Sequence, residues 1–78
     1  MKELLEFLVK EIVANPKEVE VTETAEGESA VKLTLTVSPE DMGIVIGKKG
    51  NMISSIRSLV KTAAAKQGKE VFVELVEK

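Results

Sequence analysis

Residues 46–53 of this 78-residue chain read Ile46-Gly47-Lys48-Lys49-Gly50-Asn51-Met52-Ile53, and this is the stretch best suited to chemistry. Two glycines bracket two lysines, with an isoleucine on either side. Glycine lacks a Cβ and tolerates positive φ, so a G-x-x-G turn lets the backbone come close to a bound group. The helical pattern that follows opens with N–H groups and the positive end of its dipole. Two lysines add full charges. Such a set of donors suits a phosphodiester backbone. The plain structural alternative is a solvated turn in which the glycines serve only chain reversal.

Other chemistries fit less well. Gly43-Ile44-Val45-Ile46-Gly47-Lys48-Lys49 superficially resembles the nucleotide-binding G-x-x-x-x-G-K-[ST] loop. It is one residue short, however, puts Lys49 where a magnesium-binding hydroxyl is needed, and lies between helices rather than after a strand. The chain has no histidine and no cysteine. That excludes disulfides, thiolate and imidazole metal sites, and histidine- or cysteine-based catalysis. Glu40 and Asp41 are adjacent, but helix capping accounts for them. The other acids form no evident cluster. The sequence therefore points away from an enzyme and asks for no cofactor.

A net charge of −2 looks unfavourable for a nucleic-acid partner. Its distribution reverses that impression. Lys48, Lys49, Arg57, Lys61, Lys66 and Lys69 all fall between Met42 and Lys69, a stretch without a single acid. The remaining 50 residues set five lysines against thirteen acids. One basic face on an acidic body follows. Cations near a helix C-terminus are favourable, which explains Lys66 and Lys69 on structural grounds. Lys48 and Lys49 stand at a helix start, where the dipole opposes them.

The elements that must position this loop are legible from periodicity. Leu4, Leu5, Leu8, Ile12 and Val13 recur at helical spacing and predict a helix from Lys2 to Ala14, ended by Asn15-Pro16. Glu18 to Thr22 alternates polar and apolar, as does Ser29 to Val37, and the two predict an antiparallel hairpin across Ala25-Glu26-Gly27-Glu28. Ser38-Pro39-Glu40-Asp41 starts a short helix with Ser38 as cap, and Gly47 stops it after Ile46. Asn51 is positioned to cap a second helix carrying Ile53, Ile56, Val60, Ala63 and Ala64 to about Lys66. Gly68 follows as its C-terminal stop. A last strand runs from Lys69 to Val76. Val71, Val73 and Leu75 share one face, and Phe72 and Val76 share the other.

The predicted order is α-β-β-α-α-β, an α+β fold with helices on one face of a three-stranded mixed sheet. One domain over residues 1–78 is expected from the length. No apolar run reaches the ~20 residues of a membrane span. The start, Met1-Lys2-Glu3, does not read as a signal peptide, so a cytoplasmic location is expected.

This order, with I-G-x-x-G-x-x-I between the two middle helices, resembles the type II KH domain. Asp41 to Arg57 is closely similar to the small stand-alone KH proteins of bacteria, the KhpA (YlqC) family, and the resemblance covers nearly the whole chain. It implies single-stranded RNA as ligand, with Gly47, Lys48, Lys49 and Gly50 clamping the backbone of about four nucleotides. Asn51 belongs to the same motif. Ile46 and Ile53 would flank the loop and floor a narrow groove for bases. Arg57, one turn beyond Ile53, would reach a phosphate or a base, and the second strand would supply the opposite wall. One departure stands out: the position of Ile44 is often basic in this family.

The resemblance further implies a role as an RNA chaperone or post-transcriptional regulator linked to cell shape and division. It also implies self-association and pairing with a larger KhpB (Jag, EloR) protein that carries its own KH domain. A competing expectation is a KH-shaped protein-interaction module with weak or no RNA binding. The acidic body and the absence of Tyr and Trp favour that alternative. Phe7 and Phe72 are the only aromatics and are expected to be packed.

Overall fold

The computed structural model describes all residues, Met1–Lys78. Its first helix, α1 (Lys2–Lys10), buries Leu5 and Val9 completely and leans Leu4 and Leu8 on the same core, joined by Ile12 just beyond its end. The helix is shorter than its apolar stripe predicts. Beyond Lys10, the Glu11 amide folds back onto the Phe7 carbonyl and those of Ile12 and Val13 onto the Val9 carbonyl. The next two N–H groups, of Ala14 and Asn15, donate instead to the carboxylate of Asp41, each at 3.0 Å. A helix cannot continue through amides that are bound elsewhere.

Pro16–Glu18 forms a single 3₁₀ turn, so the first strand, β1 (Glu20–Ala25), begins two residues later than the alternation predicts. Its partner β2 (Ala30–Val37) follows the predicted pattern, with Leu33, Leu35 and Val37 fully buried and Lys32, Thr34 and Thr36 on the opposite face. The two pair antiparallel, Val21 facing Leu35 and Glu23 facing Leu33. After a 3₁₀ turn at Pro39–Asp41 comes the short helix α2 (Met42–Ile46). A third 3₁₀ turn at Lys48–Gly50 leads into the long helix α3 (Asn51–Ala65).

From α3 the chain doubles back through Lys66–Lys69 into β3 (Glu70–Glu77), which pairs parallel with β2, Leu33 beside Val73. The sheet order is β1-β2-β3, a mixed sheet whose edges are β1 and β3. Ile53, Ile56, Val60 and Ala64 of α3 meet Val71 and Val73 of β3, and with Leu5, Val9 and the β2 side chains they form one core. Helices cover one face of the sheet. The other face carries Thr22, Thr34, Glu74 and Phe72 and lies open. No helix is long and apolar enough to cross a membrane.

Candidate nucleic-acid interface

The loop between α2 and α3 is built by backbone conformation as much as by composition. Gly47 leaves α2 at φ 76°, ψ 176°, with its N–H donated to the Gly43 carbonyl at 2.9 Å. Lys49 (φ 56°, ψ 26°) and Gly50 (φ 76°, ψ 12°) then follow one another in the left-handed region. The Gly50 N–H returns to the Gly47 carbonyl at 3.2 Å and closes the turn.

The two glycines are required for different reasons. A Cβ on Gly47 would stand 2.4 Å from Met52 Cβ and 2.7 Å from Met52 N, so a side chain there must push α2 and α3 apart. A Cβ on Gly50 would meet nothing within 4 Å, and only its positive φ asks for glycine. Lys49 has the only positive φ among the non-glycine residues. A left-handed lysine carries conformational strain of about 1–3 kcal/mol, and strain held at an exposed crest is a common mark of a binding site.

The electrostatics agree with the charge map of the sequence. Lys48 and Lys49 are exposed. The ion pairs of the molecule engage Lys10, Lys32 and Lys78, and none involves the six cations between Lys48 and Lys69. The loop charges are therefore free to meet an anion.

Around the loop, Ile53 is buried in the core while Ile46 is half out of it, at 37% exposure. Asn51 occupies the first turn of α3, exposed, and the expected capping bond is not made: the N-cap residue is Gly50, and no side chain caps the helix. Gly50 already directs the chain into the helix, which leaves the Asn51 amide pointing to solvent. Gly43 has open space where a Cβ would be, so close helix packing does not account for it.

Arg57 lies on the flank of α3 that faces β3, and its Nε–H donates to the Val73 carbonyl at 3.2 Å. The strand beside this flank is thus β3. The second strand, expected as the far wall, is the central one, with both its edges taken by β1 and β3.

Asp41 has a role that its sequence context hides. It is fully buried, and its carboxylate accepts from the Ala14 and Asn15 amides, the Asn15 Nδ2 (3.2 Å) and the Ser38 Oγ (3.2 Å). Helix capping does not explain it, since no side chain caps α2 or the preceding turn. Instead it ties the end of α1 to the start of α2, five residues ahead of the loop. Burial alone would raise its pKa, but the combined hydrogen bonds from Ala14, Asn15 and Ser38 outweigh burial and hold it below the ordinary value. A Pro-containing turn at 15–16 and another at 38–41 are readable in sequence; their union through one carboxylate is not.

Comparison with known proteins matches residues 2–75 to a family described as KhpA/KhpB, KH domain. The chain belongs to this family. The α-β-β-α-α-β order and mixed sheet are those of its type II KH fold. Among curated relatives, the RNA-binding protein KhpA of Clostridium perfringens is 50% identical over 97% of this chain and 100% of its own length. The KhpA of Clostridium acetobutylicum is 49% identical over the same shares. The Aquifex aeolicus KhpA is 39% identical over 99% of this chain and 96% of its own. Ile44 lies on α2, 44% exposed.

Proposed function

We propose that the chain is a non-catalytic single-stranded RNA-binding protein whose Gly47–Gly50 loop clamps the nucleic-acid backbone. The observation that carries this reading is the loop itself: a left-handed Lys49 beside Lys48, both exposed, neither paired with an acid, in a turn too tight for any side chain at Gly47. The relatives named RNA-binding protein KhpA support the ligand class. Backbone contacts at the loop fix the strand's register, and contacts along the flank of α3 that faces β3 read about four bases. One such groove binds modestly, so avidity through a second domain is part of the reading.

The apolar seam between α1 and α3 supplies a surface for that association. Leu8, Ile12, Met52, Ser55, Ile56 and Leu59 line a groove there, with Leu59 51% exposed. A homodimer, or a heteromer with a KhpB-like protein, would cover it. In keeping with the family resemblance, the setting is cytoplasmic, and the role that of an RNA chaperone or post-transcriptional regulator tied to cell shape and division. The same seam favours a second reading, a protein-interaction module that binds little RNA.

NMR titration of the isotope-labelled chain with a single-stranded RNA octamer tests the proposal. Amide shifts should concentrate at Ile46–Arg57 and along β3. Shifts confined to the open sheet face or to the α1–α3 seam would overturn the assigned site.

A further inference from the structure

Arg57 is the cation in the basic stretch that the fold holds in place. It is half-buried rather than exposed, and its Nε–H is spent on the Val73 carbonyl at 3.2 Å. That carbonyl belongs to an edge strand paired on one side only. No carboxylate lies within ion-pair distance of Arg57, and no side-chain donor of the protein is buried without a partner, so both Nη groups remain reachable from outside. A guanidinium tethered at Nε keeps its plane fixed and offers the Nη1–Nη2 end as a two-donor fork.

Position decides what that fork meets. Gly50, Ile53 and Arg57 follow at spacings of three and four, on one flank of α3. Seven residues of helix place Arg57 about 10 Å from Gly50. Ile53 between them is buried in the core, so a strand whose phosphates are gripped at the exposed Lys48–Lys49 crest meets the Arg57 fork, and not Ile53, with its bases.

Resting on the RNA-clamp reading above, we infer that Arg57 is a specificity-determining residue that selects a base presenting two adjacent acceptors. Guanine (O6 and N7) and cytosine (O2 and N3) present such an edge. Adenine and uracil alternate acceptors with donors and satisfy only half of the fork. Good bidentate pairs discriminate by about 1–3 kcal/mol, so roughly five- to 150-fold is expected between the favoured and disfavoured bases at one position.

The test uses labelled uridine octamers carrying a central pair of cytidines, guanosines or adenosines, bound by the full chain. Wild type should prefer the cytidine or guanosine octamer over the adenosine and all-uridine ones, and the two favoured arms identify which base is read. Arg57→Lys keeps the charge but loses the fork; circular dichroism checks its fold, and Arg57→Gln serves as a second variant. In both, the preference should collapse to within about twofold. The salt slope of Arg57→Gln should stay as in wild type, whereas a lost phosphate contact lowers it by about one. A preference that survives both variants, a uniform loss across octamers, or a fallen slope would overturn the inference while leaving the clamp standing. No binding to any octamer would remove the clamp reading, and this inference with it.

Discussion

At the scale of single residues, the loop separates two demands that composition alone merges. Gly47 is needed for space and conformation together, Gly50 for conformation only. Gly50→Ala should therefore lower stability by about 1 kcal/mol, the left-handed penalty of a non-glycine residue. Gly47→Ala should cost clearly more, about 2–4 kcal/mol, because it adds a contact with the backbone of Met52 to the same penalty. Urea unfolding of the two variants beside wild type measures this. Equal losses would mean that α2 and α3 are not in close contact at this point. The I-G-x-x-G-x-x-I spacing made the loop legible. The left-handed Lys49 was not legible, because a turn of this length admits several conformations and only the packing of Gly47 on Met52 selects one.

At the scale of elements, periodicity recovered every α-helix and strand, and the errors fall at their ends. α1 stops at Lys10 because Asp41, a distant residue in sequence, takes the amides of Ala14 and Asn15. β1 starts late because Pro16 turns the chain once more before it extends. Arg57 was legible as a groove residue, but its tether to Val73 was not, since it depends on which strand lies at the edge.

The Asp41 latch makes a testable statement about pH. Its folded pKa is held low, so its contribution is fully present above the unfolded value near 4 and is lost as the pH falls through the folded one. Urea midpoints measured between pH 5 and pH 2.5 should fall less steeply for Asp41→Asn than for wild type, from a lower starting point at pH 5. Parallel curves would show that the latch carboxylate is not what acid titrates.

At the scale of the whole molecule, charge and apolar surface are segregated. The cations of residues 48–69 occupy the loop, α3 and the turn after it, while the acids lie outside this stretch. Phe7 on the helical layer is 62% exposed and Phe72 on the open sheet face 45%, although both were expected to pack, and Leu59 beside the α1–α3 seam is 51% exposed. Sequence patterning marks such residues as core, because it cannot distinguish a stripe filled within one chain from one filled by a second. Leu59→Lys should accordingly shift the chain toward monomer in sedimentation velocity while the domain remains folded. An unchanged distribution would place any association elsewhere.

The central claim is that the Lys48–Lys49 crest grips RNA. The most direct measurement is fluorescence anisotropy of a labelled single-stranded RNA octamer with wild type and with the Lys48→Asp/Lys49→Asp double variant, at 50 and 200 mM salt. Wild type should bind in a salt-sensitive way, and the variant, its circular dichroism unchanged, should not bind, because both lysines are exposed and unpaired. Binding that survives the double charge reversal would contradict the account. Binding absent from both folded proteins would contradict it too and would favour the protein-interaction module.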